Sequence, residues 1–128
     1  MSLVPDDLRY TKEHEWLKVA ADGTALVGIT DYAQQSLGDI VFVELGRPGV
    51  RFAAGAAFGV VESVKAASDL FMPVAGEIIE INPQLETQPE LVNLHPFAAG
   101  WMLKIRPADP AAAAGLLDAR AYRQLVGE

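Results

Sequence analysis

The sequence contains no cysteine among its 128 residues. This absence excludes disulfide scaffolds, zinc sites built from thiolates, cysteine nucleophiles and CxxC redox motifs. Any sulfur chemistry in which the protein takes part must therefore use sulfur that comes from outside the chain.

Long apolar runs and a basic leader are also missing. No apolar stretch approaches the roughly 18 residues that a membrane-spanning helix needs. The first ten residues contain Asp6 and Asp7 instead of a basic segment followed by an apolar one. We therefore expect no membrane association and a cytoplasmic location, or the mitochondrial matrix if this is the processed form of an organellar protein.

Positive charge is scarce. Ten Lys and Arg residues stand against 17 Asp and Glu, which gives a formal net charge of -7 and a pI near 4.7. Because binding to phosphates requires a basic face, we expect no nucleic-acid partner. The chain is 51% hydrophobic and 21% charged, as globular proteins are, and its length fits one domain over residues 1–128, which we expect to be monomeric.

Motifs of catalysis and metal binding are lacking too. His14 and His95 lie far apart, and neither has the spacing of a metal ligand such as HExxH. The run Glu13-His14-Glu15 is interpreted as a solvated strand start, since neighbours in a strand point to opposite faces. There is no GxSxG motif, P-loop or dinucleotide fingerprint. These absences predict a protein that is not an enzyme and holds no metal.

Short β-type segments separated by Gly, Pro and Asp dominate the first four fifths of the chain. The predicted strands are His14 to Ala20, Thr24 to Ile29, Ile40 to Leu45, Phe58 to Val64, Glu77 to Asn82 and Trp101 to Arg106. The first two are expected to form a hairpin across Ala21-Asp22-Gly23.

Capping residues mark the predicted helices. Thr30 and Asp31 begin a short helix through Leu37, which Gly38 ends in a left-handed conformation. Near the C-terminus, Asp109 and Asp118 each precede a segment of high helix propensity. The further helical segments predicted are one turn within Pro89 to Asn93, Ala111 to Leu117, and Ala119 to Val126.

Lys65 is the most unusual residue chemically. It is one of only four lysines and lies between two apolar β segments, followed by the small residues Ala66, Ala67 and Ser68. These residues can form a tight connection that projects a side chain into solvent. A flexible four-carbon amine at a hairpin tip suits covalent attachment of a swinging prosthetic group.

The sequence around Lys65 resembles a known family. Val60 to Asn82 (VVESVKAASDLFMPVAGEIIEIN) is similar to the lipoyl-lysine hairpin of the glycine cleavage system H proteins. The resemblance covers nearly the whole chain in the right order. The other matching segments are YTKEHEWL (10–17), GITDYAQ (28–34), LGDIVFVEL (37–45), PFAAGWMLKI (96–105) and LLDARAYRQLVG (116–127).

The resemblance implies a mainly β fold, a flattened hybrid barrel-sandwich of the lipoyl-domain type with quasi-twofold halves, short peripheral helices and a C-terminal helical segment. It implies lipoic acid on Lys65 in amide linkage. Glu62, three residues before the lysine, and Gly76, eleven after it, match features that the lipoate-attaching enzymes recognise. Glu62 could equally be a solvated strand residue, and Gly76 a turn.

The family role is that of a carrier. The lipoyl group receives the aminomethyl fragment of glycine from the P protein (glycine decarboxylase) and delivers it to the T protein (aminomethyltransferase). The L protein (dihydrolipoyl dehydrogenase) then reoxidises it. A tethered arm raises the effective concentration at each step, and the family shelters the loaded arm in a surface cleft. By matching positions, Glu15, Ser36 and Asp69 would line this cleft.

This sequence departs from the family pattern at a few positions. Ser36 replaces the histidine of some relatives, Ala98-Ala99 replaces more polar residues, and Phe71-Met72 is more apolar than many family hairpins. Three alternatives stay open. They are a biotin carrier domain, whose lysine usually lies between methionines, a lipoyl domain of a 2-oxo acid dehydrogenase, and an H-like lipoyl donor, relay or regulatory scaffold that takes no part in glycine cleavage.

Overall fold

Two antiparallel sheets form the protein in a computed structural model, which describes residues 2–128. The first sheet has six strands in the order β1-β2-β3-β9-β8-β5, and the second has three in the order β4-β6-β7. The strands are β1 Arg9–Tyr10, β2 Glu15–Val19, β3 Ala25–Ile29, β4 Ile40–Leu45, β5 Arg51–Phe52, β6 Ala57–Ser63, β7 Ala67–Phe71, β8 Gly76–Ile81 and β9 Leu103–Pro107.

The hairpin predicted near the N-terminus is confirmed as β2 and β3. Its turn is held by Asp22, whose Oδ1 accepts hydrogen bonds from the backbone N–H (3.0 Å) and the hydroxyl (2.6 Å) of Thr24. Gly23 takes a left-handed φ of 88° there, which side chains rarely adopt. The predicted strand Ile40 to Leu45 is β4.

The sequence analysis missed the strand that returns from Lys65. The predicted strand Glu77 to Asn82 corresponds to β8, which belongs to the six-stranded sheet and pairs with β5 and β9. The strand that returns from Lys65 is β7, where no strand was predicted. Ala, Ser and Asp have low strand propensity, so this strand is set by its pairing with β6 and not by its own sequence.

One core fills the space between the two sheets. Every strand from β2 to β9 contributes side chains to it, β5 through the partly buried Phe52, because alternate residues of each strand point inward. Full burial of one such aliphatic side chain contributes about 1.5–3 kcal/mol. Strand residues that are at most 2% exposed in this core are Leu17, Ala25, Val27, Val61, Leu70, Ile78, Leu103 and Ile105.

The α-helices are short; three lie between strands and the fourth follows β9. α1 (Asp31–Leu37) begins and ends as predicted: the Thr30 side chain accepts the N–H of Ala33, and Gly38 has a φ of 81°. α2 (Gln84–Thr87) and α3 (Leu91–Leu94) follow β8, and α4 (Ala119–Leu125) starts at the predicted cap Asp118. No helix in residues 2–128 is long and apolar enough to cross a bilayer.

The helix predicted over Ala111 to Leu117 was wrong. Only a single 3-10 turn forms, at Ala112–Gly115. Leu117 instead extends alongside β1, where its backbone N–H and C=O pair with Tyr10 at 2.9 and 2.8 Å. This tertiary pairing overrides the local helix propensity of the alanines.

A second hydrophobic cluster joins the two ends of the chain. Val4, Tyr10, Trp16 and Tyr122 are buried in it, and the rings of Tyr10 and Tyr122 stack with centroids 4.6 Å apart. Arg123 donates hydrogen bonds from Nη2 to the backbone of Val4 and to Asp6, both at 2.8 Å. The C-terminal helix is thereby fixed against β1 and the segment before it.

Candidate functional site

Lys65 lies at the tip of the β6–β7 hairpin. Ser63 and Ala66 close the turn with a backbone hydrogen bond of 2.7 Å from the Ser63 N–H to the Ala66 carbonyl. Val64 and Lys65 are the two residues between them, and both are exposed. The sequence therefore places an amine at the outermost point of a two-residue turn.

Side-chain and backbone bonds hold this tip in place. Ser63 Oγ accepts the N–H groups of Lys65 at 3.4 Å and Ala66 at 3.1 Å, and donates to the Ala66 carbonyl at 3.1 Å. The Val64 N–H donates to the carbonyl of Asp39, just after α1, at 3.0 Å. The hairpin tip is thus anchored to the segment between α1 and β4.

The stem of Lys65 lies beside the end of α1. A β-carbon placed on Gly38 would lie 3.6 Å from Cε of Lys65. Ser36 is in the last turn of the same helix and is exposed. An arm on Lys65 would therefore start close to the C-terminal end of α1, where Ser36 lies.

The outer face of the three-stranded sheet is acidic. Its pleat places Glu62 opposite Phe42 on one side and Ala67 on the other, and Asp69 opposite Val60. Strand alternation directs these side chains away from the buried Val61 and Leu70. We use the name outer face for the residues that share this direction: Phe42, Glu44, Val60, Glu62, Ala67, Asp69 and Phe71.

Gly76 lies apart from the lysine, in the six-stranded sheet. It is the first residue of β8 and pairs with Phe52 and Pro107. A β-carbon there would come within 2.7 Å of the Arg106 carbonyl oxygen, so no side chain fits. Close strand packing accounts for this glycine, and its interpretation as a turn residue was wrong.

A groove of about 300 Å³ opens at the free edge of β7. Four separate parts of the chain line it: the β1–β2 turn, the loop before β6, the end of β7 and the segment after the 3-10 turn. Its residues are Tyr10, Thr11, Lys12, Glu13, Glu15, Gly55, Phe71, Met72, Pro73, Gly115, Leu116 and Leu117. We call it the Glu15 groove, after the one buried carboxyl in its lining.

Glu15 is only 2% exposed, so the interpretation of this region as a solvated strand start was wrong for this residue. Oε1 accepts the hydroxyl of Thr11 at 2.8 Å, and Oε2 accepts the N–H of Phe71 at 3.3 Å. Burial raises the pKa of the carboxyl to about 7, and the two hydrogen bonds oppose that rise. Glu15 is therefore poised between its neutral and charged forms near neutral pH.

The residues expected in one cleft are spread over a longer stretch of surface. Glu15 lines the groove, whereas Asp69 and Ser36 are exposed and are not part of its lining. Asp69 is two residues from Phe71, which lines the groove and shares the outer face with it. Ser36 lies near the other end, beside the stem of Lys65.

The family model of the glycine cleavage H-protein matches residues 8–128. The chain belongs to the glycine cleavage H-protein family. Two similar curated relatives are both named glycine cleavage system H protein. That of Opitutus terrae is 58% identical over 127 residues, 99% of this chain and 100% of the relative; that of Chlorobium limicola is 60% identical over 126 residues, 98% of each chain.

A solved H-protein structure has the same fold. The crystal structure of a glycine cleavage system H protein from Mycobacterium marinum superposes with a TM-score of 0.90 at 38% identity, covering 98% of this chain and 100% of that one. The mainly β fold expected from the resemblance is confirmed. H-protein membership makes the chain a lipoyl carrier component of the glycine cleavage system, and it supports the H-protein resemblance over the biotin and 2-oxo acid dehydrogenase alternatives.

Sequence reasoning missed most of the groove in this H-protein family member. Phe71 was noted only as unusually apolar, and Leu116 and Leu117 were assigned to a helix. The residues that line the groove lie far apart in the sequence, so no local sequence pattern predicts it. The apolar Phe71-Met72 pair was the available signal, since Phe71 lines the groove while Met72 is 2% exposed in the core.

Proposed function

We propose that Lys65 carries lipoic acid in amide linkage and that the chain is a carrier without a catalytic site of its own. The observation that supports this is the exposed, anchored position of Lys65 at a hairpin tip in an H-protein family member. Lys65 would hold the lipoyl group through the amide, and the group would supply a disulfide able to accept the aminomethyl fragment of glycine. The residues of the chain present and shelter that group.

The outer face of β7 offers a path for the arm. Ala67, Asp69 and Phe71 project from one side of this strand, which covers roughly 13 Å between its first and last residue. Phe71 ends the path at the Glu15 groove. In this proposal Ser36 lies beside the start of the arm, Asp69 along it and Glu15 at its end. The three residues predicted to line one cleft are therefore distributed along the path of the arm.

The groove suits a group with an apolar body and a cationic end. Phe71, Leu116 and Leu117 provide apolar walls, and Glu15 is its buried carboxyl. A positive charge close to a carboxyl favours the ionised form, so an amine that enters would be held by a charge-assisted hydrogen bond. The walls also exclude water, which limits side reactions of a labile group.

The partners follow from this role. Glycine decarboxylase, aminomethyltransferase and dihydrolipoyl dehydrogenase must each reach the arm, and a two-residue tip gives them access to Lys65. The lipoate-attaching enzyme must reach the same tip, where exposed Glu62 lies on the adjoining strand. We include Glu62 in its recognition surface. Gly76, on the other sheet, would contribute through the shape of the backbone.

The test is intact-mass analysis after co-expression with a lipoate ligase. We expect a mass increase of one lipoyl amide in the wild type and none in Lys65→Arg. Amide formation also removes one positive charge, so the modified protein should shift towards the anode on an isoelectric focusing gel.

Lys104→Arg is the matched control, because this lysine lies in β9 within the six-stranded sheet. It should be modified to the same extent as the wild type. Modification that persists in Lys65→Arg, or attachment of biotin instead of lipoate, would overturn the proposal.

A further inference from the structure

His14 has an unusual backbone conformation. It is the only non-glycine residue within 2–128 with a positive φ, 67°. It occupies the left-handed position of the turn between β1 and β2, where its N–H donates to Thr11 at 3.1 Å and its carbonyl accepts from Thr30 at 3.0 Å. Glycine is the usual residue at such a position, so a histidine there indicates that its side chain has a structural or functional role.

The side chain ends a buried chain of hydrogen bonds. His14 Nδ1 is 2.8 Å from the Tyr122 hydroxyl, which is 2.7 Å from Thr30 Oγ1. Thr30 Oγ1 in turn accepts the N–H of Ala33 at 3.2 Å as the cap of α1. The chain thus connects the β1–β2 turn, α4 and α1.

The Thr30 hydroxyl hydrogen decides which group donates in each of these hydrogen bonds. Thr30 is fully buried, and its hydroxyl hydrogen has the Tyr122 oxygen as its partner. If Thr30 donates to Tyr122, then Tyr122 donates to His14 Nδ1, and every hydroxyl hydrogen is used. The opposite direction leaves the Thr30 hydrogen unpaired, which is costly in a buried site. His14 is therefore an acceptor at Nδ1 and carries its proton on Nε2.

Among residues 2–128, Glu13 is the only carboxylate whose charge acts on the His14 ring. Its ring faces Tyr32 of α1, with centroids 4.8 Å apart, and Tyr122 of α4. Burial lowers the pKa of His14, and the nearby Glu13 on its own turn only partly opposes this. Glu15, the next residue, directs its carboxyl to Thr11 and Phe71 instead.

The same contacts reach the walls of the Glu15 groove. Tyr122 stacks on Tyr10, and Tyr10 is paired through its backbone with Leu117. Tyr10, Leu117 and the β1–β2 turn all line the groove. Whatever loosens Tyr122 therefore acts on two of the four parts of the chain that line the groove.

We propose that His14, Tyr122 and Thr30 form a pH-sensitive latch that holds α4 and the Glu15 groove together while His14 is neutral. Protonation of His14 turns Nδ1 into a donor, so Tyr122 can no longer donate to it and one buried hydroxyl hydrogen is left without a partner. α4 and the segment around Leu117 then open more often. The latch is a property of the unmodified chain and does not depend on lipoate attachment.

The test uses NMR on the unmodified full chain between pH 7.5 and 5.5. At pH 7.5 the His14 ring should show its proton on Nε2. After correction for intrinsic exchange chemistry, amide exchange of α4 should rise about threefold to tenfold at pH 5.5, the factor expected for loss of one buried hydrogen bond. Exchange in β3 should not rise over the same interval, because protonation of Glu15 stabilises the fold there.

Two variants give the proposal separate tests. Tyr122→Phe keeps the stacked ring but removes the hydroxyl, and His14→Asn keeps a residue that tolerates the left-handed conformation but cannot titrate. Each should abolish the rise of α4 exchange at low pH, and His14→Asn gives the test if Tyr122→Phe does not fold. Tyr32→Phe and His95→Gln should behave as the wild type. A proton on Nδ1 at pH 7.5, or a rise of α4 exchange at low pH that survives in His14→Asn, would overturn the latch.

Discussion

Glu15 is a carboxyl group that the fold keeps almost completely from water. An unfolded chain ionises it from about pH 4.5, whereas burial raises the pKa in the folded chain to about 7. Between these values the folded state binds more protons than the unfolded state. The free energy of unfolding therefore falls as pH rises from about 4.5 to about 7, and stays at its lower value above that.

The first prediction concerns the substitution Glu15→Gln. Glutamine resembles the protonated carboxyl, so this variant should be more stable than the wild type at pH 8, by on the order of 1–3 kcal/mol. The two should be of similar stability at pH 4.5. Urea unfolding at several pH values measures the difference. Glu13→Gln, an exposed neighbour, should leave the pH profile unchanged, and a Glu15→Gln variant that is less stable at pH 8 would contradict the argument.

At the scale of elements, the hairpin that carries Lys65 depends on one small side chain. Ser63 makes three contacts within the turn, two as acceptor and one as donor. One hydrogen bond makes a net contribution to stability of about 0.5–1.5 kcal/mol. Because the turn is exposed, we expect the contacts of Ser63 to lie at the lower end of that range. Their effect is therefore local order at the tip more than global stability.

Ser63→Ala is accordingly expected to loosen the tip without unfolding the sheet. Amide exchange at Lys65 and Ala66 should become several-fold faster, while the global free energy of unfolding falls by less than about 1 kcal/mol. NMR exchange and urea unfolding report the two quantities. Ser68→Ala on the same hairpin is the control, since the Ser68 hydroxyl makes one long contact of 3.4 Å. Equal effects of both variants would argue against the role of Ser63.

Elements whose ends are marked by residues in the local sequence could be predicted. Elements that depend on pairing with residues far away in the sequence could not. α1 was predicted to the residue, because Thr30 and Gly38 define its ends. Leu117 ends a segment of high helix propensity but pairs with Tyr10, 107 positions away along the chain. In the site, Lys65 and Glu15 followed from family resemblance, whereas the link from His14 to Tyr122 spans 108 positions and has no sequence signature.

At the scale of the whole molecule, three of the acidic residues that give the net charge of -7 lie on one face. Glu44, Glu62 and Asp69 share the outer face that leads from Lys65 to the Glu15 groove. Under the proposed function, partners that act on the arm approach this region, and an acidic face attracts basic partners over distances of about a Debye length. The absence of cysteine fits the same role, because the scaffold has no thiol that could exchange with a disulfide on the arm.

Association with glycine decarboxylase should therefore depend on salt. We expect the association rate of the lipoylated chain to fall several-fold between low and physiological ionic strength, because long-range attraction is screened. Neutralising the outer face in Glu44→Gln/Asp69→Asn should remove most of this dependence. Glu90→Gln/Asp109→Asn changes the net charge equally at exposed positions outside that face and should retain it. Stopped-flow fluorescence gives the rates. If both pairs flatten the salt dependence to the same degree, net charge alone steers the encounter, and the outer face has no special part in it.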